Sequence, residues 1–262
     1  MAYLQPVRKA YIYMERRGAL MDVIPAIDLS EGAVVRLLRG EFGKKTVYSD
    51  DPVGTARKFV AAGAKRLHVV DLDGAKSGAP VHYDLIRRIA ESAGVPVQVG
   101  GGMRTAQTAK RMADISNVER IILGTAAVEK PRVLKQILGV LGDQRVVLSV
   151  DVKGGVVATR GWLAETEGDP IAFGRSAYEA GLRIAIYTDV KQDGTLRGPN
   201  LEATTRFARE TGLKVIVAGG VSSLADIEMI KGECDAGLIG IIVGRAIYEG
   251  ALDLAEAVRA VA

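Results

Sequence analysis

Residues 24–40, IPAIDLSEGAVVRLLRG, line up with residues 147–162, VLSVDVKGGVVATRGW. Each is a β-branched run closing on an aspartate, Asp28 in one and Asp151 in the other, followed by a Gly-Val-Val-type hairpin pattern. Three more pairs follow in the same order: HVVDLDGA from His68 with IYTDVKQDG from Ile186, VQVGGGMRT from Val97 with VIVAGGVSS from Val215, and IILGTAAVE from Ile121 with GIIVGRAIYE from Gly240. Chance could produce one such match, but hardly four at a constant offset of about 120 residues. The chain therefore reads as two similar halves, about 21–142 and 143–262, meeting near Gly142.

Working outward from these pairs, short β-branched runs alternate with segments of helical period, the pattern of βα units on a parallel sheet. The expected strands are 23–27, 67–71, 97–100, 120–123, 146–151, 184–188, 215–218 and 239–243. Helices are expected at 52–62, 83–93, 105–112, 131–141, 170–180, 201–210, 224–230 and 252–261. Pro52, Pro131 and Pro170 stand where a first helical residue belongs, and Ser223 where an N-cap belongs. Eight units predict a (β/α)8 barrel, α/β in class, assembled from two (βα)4 halves. Residues 1–20 mix Lys and Arg into their apolar positions and are expected to lie outside the barrel, without a secretory role.

Composition sets the limits. Glycine supplies 31 of 262 residues, above the usual share of about 7%, so many sharp turns or close backbone approaches are expected. One cysteine excludes an internal disulfide, and two histidines exclude a histidine-rich metal site. No apolar run has the length of a membrane span. A net charge of +4 suits an anionic ligand but is too mild for nucleic acid. A cytoplasmic monomer is the expectation, with no metal, nucleic acid or membrane partner.

In such barrels the chemistry gathers where strands end at their C-termini. Asp28 and Asp151 close the first and fifth strands, which face each other across an eight-membered ring. Two facing carboxylates can serve as general acid and base when their environments separate their protonation. The plainer reading, an aspartate that caps its own loop, loses ground because the pair is symmetric. Gly101-Gly102 and Gly219-Gly220 follow the third and seventh strands, and Gly124-Thr125 and Gly244-Arg245 close the fourth and eighth. Backbone N–H groups there can approach an anion, so two phosphate sites on opposite sides are expected, with an elongated ligand between them.

These motifs, with VIPAIDL, LHVVDLDGA, GGGMR, VDVKGGVVATRGW, YTDVKQDGT and IVGRAIYEG, resemble the phosphoribosylformimino-5-aminoimidazole carboxamide ribotide isomerases of histidine biosynthesis, over residues 21–262. The resemblance implies an Amadori rearrangement of a bis-phosphorylated aminoribose without metal or organic cofactor. It implies Asp28 as base, Asp151 as acid, Thr188 as a hydrogen-bonding partner of the opening sugar, and Asp193 in the same loop. Arg104 follows the first glycine pair and is a candidate phosphate contact. The long segment 153–167 reads as a lid, with Trp162, the single tryptophan, stacking on the imidazole and Arg160 holding the ligand. His68 is as readily a satisfied interior residue as a substrate contact, and no role is expected of His82 or Cys234. A bifunctional form that also isomerises phosphoribosylanthranilate, and a non-catalytic phosphate-binding barrel, are the alternatives.

Overall fold

The computed structural model describes residues 21–38, 41–124, 130–159, 164–165 and 168–262. Its strands are β1 (Asp22–Ser30), β2 (Ala33–Leu38), β3 (Glu41–Ser49), β4 (Leu67–Asp71), β5 (Val97–Gly100), β6 (Val118–Leu123), β7 (Val146–Lys153), β8 (Val156–Thr159), β9 (Ala164–Glu165), β10 (Ile184–Asp189), β11 (Lys214–Ala218) and β12 (Leu238–Val243). The helices are α1 (Pro52–Ala61), α2 (Leu72–Ser77), α3 (Tyr83–Ala93), α4 (Ala106–Ala113), α5 (Pro131–Leu141), α6 (Pro170–Glu179), α7 (Leu201–Thr211), α8 (Leu224–Lys231), α9 (Arg245–Tyr248) and α10 (Leu254–Val261).

Eight parallel strands close into a barrel in the order β10-β11-β12-β1-β4-β5-β6-β7, with β7 pairing back onto β10. The expected strands and helices are all present, with ends displaced by at most three residues. The last helix starts at Leu254 rather than 252, because Asp253 caps it by accepting from the Glu256 N–H at 2.8 Å. Helix starts behave as the sequence suggests. Asp51 accepts from the Gly54 N–H and Asp169 from the Ala172 N–H, each just before its proline. Ser223 and Asp226 form a reciprocal capping box; caps of this kind contribute about 1 kcal/mol each.

The Gly-Val-Val-type hairpins expected after Asp28 and Asp151 are a pair of antiparallel additions at the mouth. β2 and β3 fold back on β1, while β8 and β9 fold back on β7. The segment expected as a long loop thus carries two short strands. No helix among the described residues is long and apolar enough to cross a membrane.

The core has two layers. Ile24, Ala26, Val147, Ile184, Ile186, Ile216, Ala218 and Ile242 fill the barrel interior. A larger layer, including Ile27, Leu29, Val69, Ile121, Tyr187 and Phe207, packs the outside of the strands against the helices. Burying each large aliphatic side chain contributes roughly 1.5–3 kcal/mol. The alternation of strand side chains then fixes the mouth. Ile24 and Ala26 point inward, so Asp28, two residues on, does too; Ile184 and Ile186 bring Thr188 inward by the same count.

Candidate active site

β1 and β7 stand four places apart in the ring of eight and therefore face one another. The same holds for β4 and β10, β5 and β11, and β6 and β12. Asp28 and Asp151 thus sit on opposed strands, and Thr188 is the register partner of Asp151 on neighbouring β10. Asp28 is buried, Asp151 half-buried, and Ser149 Oγ lies 3.4 Å from Asp151 Oδ1.

The sequence reading missed Arg36. From β2 its Nη1 donates to Asp28 Oδ2 at 2.8 Å, and its Nη2 donates to Asp193 Oδ1 in the loop after β10. A guanidinium offers this fork where an ammonium could not. Burial works against the Arg36 charge, but Asp193 and then Asp28 outweigh it and raise its pKa. Burial raises the Asp193 carboxyl; Arg36 pulls it down and Asp28 pushes it up, and the balance stays upward. A cue was available: Arg36 is the one charged residue in the apolar strand AVVRLL, eight residues past a strand-end aspartate.

Arg36 also lies beside the end of β12, where a Cβ on Gly244 would come within 3.1 Å of its Nη1. Arg245, the next residue, donates through Nε to Glu249 Oε1 at 2.7 Å and through Nη1 to the Gly194 carbonyl. Glu249 also accepts from Tyr48 Oη at 3.1 Å, and Tyr48 stacks on Tyr248 at 4.7 Å. The β2–β3 hairpin is thereby fastened to α9, and both clasp the loop carrying Asp193.

The glycine pairs turn out to serve the backbone directly. Gly101 and Gly219 precede Gly102 and Gly220, and the latter two both have left-handed φ, +75° and +85°. A Cβ on Gly102 would fall 2.4 Å from the Ala79 carbonyl carbon, and one on Gly220 would fall 2.2 Å from the Gly198 oxygen. These positions need glycine to let neighbouring loops pass, whatever the ligand. Gly124, just past the end of β6, is different: a Cβ there meets nothing within 4 Å among the described residues. Arg104 is tied to its own side of the mouth, donating to the Ala75 carbonyl at 3.2 Å.

Below the mouth, His68 on β4 accepts at Nδ1 from Gln98 Nε2 at 2.9 Å. Burial, with Arg36 nearby, lowers the His68 pKa to about 3. Its fellow histidine is structural: His82 Nε2 lies 2.7 Å from Asp73 Oδ2, which also takes the Glu31 N–H at 2.7 Å. Burial raises the Asp73 carboxyl, but these contacts outweigh it and hold it below the ordinary range. They pin the β1–β2 turn to α2. Thr125, Arg160 and Trp162, expected in the site, lie outside the described residues, as do residues 1–20.

An eight-stranded parallel barrel with its inward polar groups gathered at the C-terminal strand ends places the chain among the (β/α)8-barrel proteins. Residues 22–253 match the family model described as Histidine biosynthesis protein, and the chain belongs to that family. It is 48% identical over 244 residues to a protein of Dehalococcoides mccartyi (strain CBDB1), covering 93% of this chain and 98% of the relative. A Synechococcus elongatus (strain ATCC 33912 / PCC 7942 / FACHB-805) relative is 46% identical over 92% of this chain and 93% of its own length. One from Lactococcus lactis subsp. cremoris (strain SK11) is 44% identical over 89% and 94%. All three are named 1-(5-phosphoribosyl)-5-((5-phosphoribosylamino)methylideneamino) imidazole-4-carboxamide isomerase. These names carry that one isomerase activity and lend no support to the bifunctional reading.

Proposed function

We propose that the chain is the aldose–ketose isomerase its relatives are named for, acting on the bis-phosphorylated aminoribose of histidine biosynthesis. The carrying observation is the opposed pair Asp28 and Asp151 in a chain 48% identical, nearly end to end, to a protein with that name. Asp151 gives a proton to the ring oxygen, and the sugar opens to a Schiff base. Asp28 then takes the C2 proton, leaving an enolamine that tautomerises to the aminoketose. Hydrogen moves within one molecule, so the rearrangement balances without an external oxidant. Thr188, beside Asp151 in register, is suited to hydrogen-bond the opening sugar.

Glycine-bearing strand ends on opposed sides of the mouth support two phosphate sites, near Gly102 and Gly124 and near Gly220 and Gly244, with Arg104 and Arg245 beside them. Arg160 and Trp162 complete the ligand set by the sequence resemblance alone. The matched placement of the hairpins on β1 and β7 supports an origin in two half-barrels. A small anionic substrate, a cytoplasmic setting and a monomer complete the reading. Asp193 is a second candidate acid, favoured by its raised carboxyl. Incubating the purified chain with the bis-phosphorylated aminoaldose and with phosphoribosylanthranilate tests the proposal. Conversion of the first to its aminoketose is expected, and binding without conversion of either would overturn it.

A further inference from the structure

Three neighbouring strands of the barrel put polar side chains at one level of an otherwise aliphatic interior. His68 on β4 is the register partner of Gln98 on β5, which is in turn the partner of Arg120 on β6. On the other flank His68 pairs with Ala26 of β1, two residues before Asp28. Gln98 has no exposed surface, and its Oε1 has no hydrogen-bond partner among the described residues. Burying an amide at this depth with half its capacity unmet is costly, so the half that is met has a use. That half is the 2.9 Å contact from Gln98 Nε2 to His68 Nδ1.

A neutral imidazole carries a single N–H, and whichever nitrogen accepts a hydrogen bond is the one without it. Gln98 donates to Nδ1, which places the His68 proton on Nε2. The charged groups around the ring are Arg36, which is paired to Asp28 and Asp193, and Arg120 beyond Gln98. The charge that acts on the ring is the Arg36 cation, so a second positive charge on His68 is disfavoured. Nε2 has no partner among the described residues, and His68 is only partly buried, one level below Asp28 on the inner wall of the barrel.

We propose that Gln98 is a positioning residue: it holds His68 as the neutral Nε2–H tautomer, so that the floor of the site offers a fixed, uncharged N–H donor to an oxygen of the bound sugar. The role of that donor in turnover rests on the isomerase reading above; the tautomer does not. A donor fixed before the substrate arrives needs no reorganisation as charge develops on the opening ring. Keeping it uncharged leaves the proton inventory of the reaction to the carboxyls.

With two histidines in the chain, nitrogen NMR on full-length protein labelled with 15N-histidine reads the tautomer directly, and His82→Asn assigns the signals. His68 is expected to show a bare Nδ1 and a protonated Nε2, unchanged from pH 8 to pH 5. A proton on Nδ1, or a titration near the ordinary value of about 6.5, would overturn the assignment. Gln98→Glu sets an acceptor against Nδ1 and is expected to move the proton there and lower kcat/KM about 10²-fold. Wild-type kcat/KM in a variant whose tautomer has switched would overturn the positioning role. If that variant does not fold, the wild-type spectrum still decides the tautomer. Failure of the wild type to turn over the aminoaldose would count against the isomerase reading alone.

Discussion

Arg36 donates through Nη1 to Asp28 Oδ2 over 2.8 Å, from a strand that folds back antiparallel on the strand of Asp28 itself. The other arm of the same guanidinium holds Asp193, so two buried carboxylates depend on one cation. Removing one partner of a buried ion pair costs more than the pair contributes, because the remaining charge stays desolvated. Arg36→Met is therefore expected to destabilise the fold by on the order of 3 kcal/mol in urea unfolding. Adding Asp193→Asn, which removes one stranded carboxylate, should recover part of that loss. Strictly additive effects in the double variant would show that the guanidinium does not couple to Asp193.

Asp28 and Asp151 are proposed as base and acid, and each is testable without disturbing shape. Asn keeps the size and loses the proton chemistry. Asp28→Asn and Asp151→Asn should each retain substrate binding while kcat falls by about 10²–10⁴-fold. If Asp151→Asn keeps near-wild-type turnover while Asp193→Asn loses it, the acid is Asp193.

The fold was legible because a parallel barrel repeats one unit, and each unit announces itself by a β-branched run and a segment of helical period, most of them with a side-chain cap. The internal repeat added the diametric placement of Asp28 and Asp151, which no single motif contains. The contacts that cross the mouth were not legible. Arg36 meets Asp193 across 157 residues, and nothing local in AVVRLL indicates where its side chain goes. Gln98 and His68 sit on adjacent strands at equal height, but pairing depends on register, which one strand read alone does not fix. The glycine pairs could be read as anion sites from sequence; that their loops also need the space of a missing Cβ depends on which backbone passes behind them.

Those two uses of glycine can be separated. At Gly220, alanine meets both a left-handed backbone and the Gly198 carbonyl oxygen, so Gly220→Ala should lose at least about 1–3 kcal/mol of stability. At Gly124 a Cβ has open space among the described residues and no left-handed backbone to oppose it. Gly124→Ala should leave thermal unfolding unchanged and raise KM, if a phosphate comes close to that strand end. An unchanged KM would remove Gly124 from the phosphate site.

His68 also makes a prediction about stability in acid. Folding lowers its pKa to about 3, chiefly through burial and then through Arg36, while in the unfolded chain the ring titrates near 6.5. Between these values the unfolded chain binds a proton that the folded protein refuses. Stability therefore rises with pH across that window and is lost as pH falls through it, by up to about 1.4 kcal/mol per pH unit. Well above pH 6.5, by about pH 7.5, the ring is neutral in both states and contributes no slope. Glutamine cannot titrate, so in His68→Gln this part of the acid loss disappears, whereas the carboxylates and His82, common to both proteins, cancel in the difference. Urea unfolding at pH 7.5, 6, 5 and 4.5 is expected to give wild-type and variant curves that run parallel near pH 7.5 and separate below it, the wild type falling faster. Parallel curves down to pH 4.5 would mean that the folded protein accepts a proton on His68 as easily as the unfolded chain does, and the neutral ring beneath Asp28 would have to be abandoned.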